Sequence, residues 1–122
     1  MTAAEHCRVE LKVPKDDRAP GALRGALQHS ARHLGFPAGG EEKFIAAADR
    51  LLRAAFSSLP EEQVIVVRIE EYPDRIEVEM TRPGGTTPEW DAARSLPGID
   101  RADEDASRGQ THLKLVKFLK TD

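Results

Sequence analysis

The sequence contains a single cysteine, Cys7, in 122 residues. It therefore has no internal disulfide and no cysteine framework for zinc. No apolar run is long enough to span a bilayer, and no charged segment followed by an apolar stretch opens the chain. The expected location is the cytoplasm. A net charge of -3 supplies no general attraction to nucleic acid or anionic lipid, so neither is an expected partner. Repeats, low-complexity tracts and linkers are missing too. One domain over 1–122 is expected, with residues 1–5 and 121–122 as disordered ends.

The composition that remains, 39% hydrophobic and 32% charged, is that of a globular domain. From His6 to Val13 apolar residues (Cys7, Val9, Leu11, Val13) alternate with Arg8, Glu10 and Lys12, the period of a half-buried strand. Pro14 ends it, and Asp16 or Asp17 is placed to cap a helix over Pro20–Leu34, where Leu23, Leu27 and Leu34 recur at helical spacing. Gly35 and Pro37 stop that helix, and Phe36 to Gly40 read as a loop. A second helix is predicted from Glu41 to Ser58, with Phe44, Ile45, Ala48, Leu51, Leu52, Ala55 and Phe56 on one wide stripe.

Gln63 to Glu71 holds a β-branched run, Val64, Ile65, Val66, Val67 and Ile69. Tyr72-Pro73-Asp74-Arg75 has turn chemistry, and Ile76, Val78 and Met80 alternate with Glu77 and Glu79, so a hairpin whose second strand has a wet face is expected. A short helix fits Thr87 to Arg94, and Asp100 to Arg108 allows a short edge strand. Thr111 to Lys120 reads as the last strand. Paired helices between strands, together with a strand hairpin, indicate an α+β two-layer sandwich with the helices on one sheet face.

This order resembles the ATPase domain of the histidine-kinase-like (GHKL) superfamily, in its bacterial anti-sigma-factor serine-kinase branch. The likeness spans the strand Arg8–Val13, the helix Phe44–Ala55, the hairpin Val64–Thr81, the Arg82-Pro83-Gly84-Gly85 turn and the stretch from Gly109 through Thr111 to Leu119. It implies a mixed, mostly antiparallel sheet backed by helices, with ATP between the helix layer and a mobile lid. The family's long helix carries a glutamate and, four residues on, an asparagine that ligates Mg²⁺. Here Asp49 falls at the general-base position and Arg53 at the asparagine.

An arginine has five donors and no acceptor, so it cannot ligate a hard cation. It is suited instead to an ion pair with Asp49 one turn earlier, or to holding an anion without metal. At the family's adenine-binding aspartate stand Thr81 or Arg82, followed by Gly84 and Gly85, and the later glycine motif has no clear counterpart. The resemblance thus implies a regulatory domain that binds a protein, a sigma factor or an antagonist-like partner, without Mg-ATP and without a catalytic or metal site. A homodimer through the sheet edge or first strand is also implied. The alternative is a divergent ATP-binding serine kinase; a third is an interaction domain of convergent shape.

Other residues have plainer readings. His29 and His33 are four apart on the first helix, a spacing that can hold zinc, but no third ligand is evident in sequence and exposed histidines are the simpler reading. Asp100, Asp103, Glu104 and Asp105 lack an EF-hand's spacing and read as a solvated loop. Lys114, Lys117 and Lys120 have no aromatic platform beside them and suit a strand that must not aggregate. Trp90 is either a lid remnant packed on the body or an exposed anchor for a partner. Cys7 reads as core.

Overall fold

The computed structural model describes residues 7–36, 41–57, 59–60, 62–85 and 88–119, and only the backbone of Cys7. The expected disordered ends and most of the expected loop at 36–40 lie outside the described residues. The elements are β1 (Cys7–Pro14), α1 (Ala19–Leu34), α2 (Glu42–Phe56), β2 (Val64–Tyr72), β3 (Arg75–Pro83), a short α3 (Pro88–Asp91), a 3₁₀ turn (Ala93–Ser95), β4 (Arg101–Ser107) and β5 (Gln110–Phe118). The five strands form one sheet in the order β1-β2-β3-β5-β4. All four pairings are antiparallel, so the two-layer α+β sandwich carries no parallel pair among the described residues.

Strict alternation in β2 and β3 separates the two faces of the sheet. Ile65, Val67, Ile69, Ile76, Val78 and Met80 are buried against the helices, and the residues between them are half-buried. The helices answer with Leu23 and Leu27 on α1 and with Phe44, Ile45, Ala48, Leu51, Leu52 and Ala55 on α2, all at most 2% exposed. Each fully buried large side chain contributes about 1.5–3 kcal/mol, so the α2 stripe is the largest local source of stability.

Local chemistry sets the helix ends. Gly35 closes α1 in the left-handed region (φ 82), with its N–H on the Arg32 carbonyl and that of Phe36 on Ala31. At the other end Arg18, not an aspartate, occupies the N-cap, and no side chain caps it. Asp16 acts one step earlier: its Oδ1 accepts the Arg18 N–H at 2.8 Å and its carbonyl accepts that of Ala19.

The open face of the sheet is built from charge. One register row crosses all five strands as Glu10, Arg68, Glu79, Lys114 and Asp103, with alternating sign. Arg68 bonds Glu10 at 3.0 Å and Glu79 at 3.1 Å, and Lys114 reaches Glu77 at 3.5 Å. Asp103, Glu104 and Asp105 lie on the β4 edge strand and not on a loop, because β5 offers them a pairing edge. Among the described residues no helix is long and apolar enough to cross a membrane.

The segment after α3 returns to the start of α2, where Pro97-Gly98 makes the turn. A Cβ on Gly98 would lie 2.5 Å from the Lys43 carbonyl carbon and 2.6 Å from the Phe44 nitrogen, and its φ is +90. Gly98→Ala is therefore expected to destabilise the fold by at least about 1–3 kcal/mol, whereas Gly25→Ala, inside α1 with nothing within 4 Å of the new Cβ, is expected to stabilise it by about 0.5–1 kcal/mol. Urea denaturation of both variants against the parent checks the pair of signs.

Candidate functional site

Asp49 and Arg53 fall on the same side of α2 because helical residues four apart share a face. Arg53 Nε bonds Asp49 Oδ2 at 3.0 Å, and Arg24 of α1 approaches the same oxygen at 3.8 Å. One carboxylate thus joins two guanidiniums across the α1–α2 seam. Arg53 is largely exposed (62%), and Asp49 only 16%. The second oxygen of Asp49, Oδ1, is buried and has no hydrogen-bond partner among the described residues. Arg53 offers donors only, so it supplies no oxygen to a divalent ion.

Arg53 also walls a cavity of about 450 Å³ between the β1–α1 turn and the end of α2, together with Lys15, Asp16, Asp17, Pro20 and Phe56. The Arg18 guanidinium, bonded to the Asp16 carboxylate at 3.0 and 3.2 Å, pulls the Asp16 pKa down to about 2. Lys15 turns back to the Leu59 carbonyl at 3.3 Å. This rim mixes both signs.

The other residues singled out at the nucleotide position lie elsewhere. Thr81 stands on the open face of the sheet, opposite the helices, and its hydroxyl meets His112 Nδ1 at 2.9 Å. Arg82, next along the strand, points to the buried side and is 4% exposed. Burial lowers its pKa, and its Nε donates to the Pro83 carbonyl at 3.2 Å. Gly84 and Gly85 line a separate cavity of about 500 Å³ against the β4–β5 hairpin. Gly84 is held there by Thr111, whose hydroxyl donates to its carbonyl at 2.8 Å, and by its own N–H on the Gly109 carbonyl. Arg53 does not line this cavity, and neither glycine lines the one that Arg53 walls.

Trp90 packs on the body. It is 1% exposed, and its indole N–H donates to the Leu51 carbonyl at 2.9 Å. Of the two placements its sequence allowed, packed on the body or exposed as an anchor, the structure shows the packed one. Asp100 accepts the Phe118 N–H at 2.8 Å and pairs with Lys117 at 3.6 Å. Sequence reasoning missed the buried Glu71, which meets His33 at 2.5 Å across 38 residues. Its place on the buried register of β2, beside Ile69, is the signal that could have found it. No group of three or more His, Cys, Asp and Glu is disposed to hold a metal among the described residues.

No protein-family model matches the chain, and no curated protein does. Solved structures do. One is the crystal structure of the RsbU and RsbW domains of Rv1364c from Mycobacterium tuberculosis, with a TM-score of 0.73 at 13% identity. The match covers 94% of this chain and 33% of that one, so this chain spans about a third of its neighbour. At that identity the likeness shows the fold.

The geometry separates a packing residue from a surface one. Trp90→Ala, which empties a buried site, is expected to cost about 3–5 kcal/mol, and Arg53→Ala at most about 0.5 kcal/mol. Guanidinium denaturation of the two variants measures the contrast; a larger loss for Arg53 would contradict it.

Proposed function

We propose that this domain is a cytoplasmic regulatory module of the anti-sigma, partner-switching type that binds a protein and does not use Mg-ATP. The observation that carries the reading is the Arg53–Asp49 ion pair at 3.0 Å. At the position where the resembling family holds a metal-binding amide oxygen, a permanent cation is already neutralised by the neighbouring acid. Two further features support it. The glycine pair lines a cavity that Arg53 does not reach, and Trp90 lies packed on α2 where the family has a mobile lid.

The outer surface of the helix pair favours an acidic partner. Arg24, Arg32, Lys43, Arg50 and Arg53 are exposed there, against exposed Glu42 and the shared Asp49. The open sheet face has already spent its charges on cross-strand pairs. Complementary charge of this kind mainly raises the association rate and makes it sensitive to salt.

A second reading, a divergent serine kinase, is favoured by the unpartnered Oδ1 of Asp49 at the family's general-base position. Calorimetric titration with Mg-ATP separates the two. No saturable heat is expected, and saturable binding lost on changing Arg53, or transfer of labelled phosphate to a co-encoded antagonist, would move the assignment to the kinase. The sigma factors and antagonist-like proteins encoded alongside are the panel for interferometry without nucleotide. One saturable partner is expected, with slower association for Arg50→Glu; no partner from the panel overturns the reading.

A further inference from the structure

His29 and His33 stand one turn apart on α1 with their rings parallel to within 1° and their centroids 6.5 Å apart. Both are exposed. Behind them lies Glu71, the penultimate residue of β2, only 5% exposed on the helix-facing side of the sheet. Its Oε1 is 2.5 Å from His33 Nδ1. A carboxylate can only accept, so Nδ1 carries the proton, and in the neutral ring Nε2 keeps its lone pair. Neither imidazole has any other polar partner among the described residues.

A buried carboxylate that holds one ring nitrogen while the other is free is the arrangement that orients histidines behind metal ions. His29, four residues earlier on the same exposed helix face, offers a second imidazole one turn away; with the rings parallel and 6.5 Å apart the exposed His29 ring has to turn towards His33 for both to reach one ion. We propose that His29 and His33 chelate one borderline divalent transition ion, Zn²⁺, Ni²⁺ or Cu²⁺, with Glu71 as the orienting carboxylate behind His33 and water in the remaining positions. Imidazole nitrogen suits those ions, whereas Mg²⁺ and Ca²⁺ require oxygen ligands. The site is a two-ligand chelate, not a closed cage, in keeping with the lack of any grouped third ligand among the described residues. Glu71 is already committed to His33 and serves by fixing the ring. This assignment does not depend on the nucleotide question, since the cluster belongs to α1 and β2, whereas Asp49 and Arg53 belong to α2.

The test uses the full chain without an affinity tag, in a Cys7→Ser background that removes the thiol as a competing ligand. Titration with NiCl₂ and with ZnCl₂ is expected to show one saturable site and a rise in melting temperature, with no response to MgCl₂. His29→Ala and His33→Ala, both at exposed positions, are each expected to abolish the response with the circular dichroism spectrum unchanged. Glu71→Gln, which keeps both ligands, is expected to weaken binding by about 10–100-fold. Should that variant fail to fold, the two histidine variants decide alone. Absence of saturable binding, or binding that survives in the double histidine variant, overturns the proposal.

Discussion

The enclosure of α2 governs this molecule. The helix buries eight of its side chains, from Phe44 to Phe56, against α1 on one side, the sheet beneath it and the 88–99 segment beside it. A helix packed on three sides has little surface left for chemistry. Its charged residues are Glu42, Lys43, Asp49, Arg50 and Arg53, and whatever the domain recognises through this helix must approach along the strip they form. The close seat of Gly98 on the backbone of Lys43 and Phe44 completes the enclosure, because no side chain intervenes between the returning segment and the helix.

The two outer surfaces solve the same electrostatic problem in different ways. On the sheet, opposite signs on neighbouring residues and strands let charges such as Glu10, Arg68, Glu79, Lys114 and Asp103 pair within the domain, which keeps that face wet. On the helices, positive charge exceeds negative, and a single carboxylate, Asp49, is shared by two guanidiniums. Exposed pairs of this kind add little to stability; their consequence is a positive potential on one side of a protein whose total charge is -3. The asymmetry is a matter of arrangement, invisible in the total.

Much of the fold was legible in the sequence because periodicity reports burial directly. The α2 stripe, the β2–β3 hairpin and the Gly35 stop were readable from the spacing of Leu, Ile, Val and Phe, and their edges moved by only a residue or two. β4 was harder, since Arg101 to Ser107 buries only Ala102 and an edge strand with one inward residue has almost no apolar signature. The Asp49–Arg53 pair was readable because it is local to one helix. The separation of Thr81 from Arg82 followed from the pleat, which sends neighbours to opposite faces. The contact between His33 and Glu71 was not readable, because it depends on which end of β2 lies under α1, and only the assembled sheet settles that.

Trp90 is the protein's one tryptophan, and it sits in the seam that closes the 88–99 segment over α2. Its near-ultraviolet light absorption and emission therefore describe a single place. While the indole is shielded from water and hydrogen-bonded to a helix carbonyl, its emission should lie to the blue. Any partner, ion or solvent condition that lifts the segment would expose the ring and shift its colour to the red. The chain thus carries its own optical gauge of whether that seam is shut.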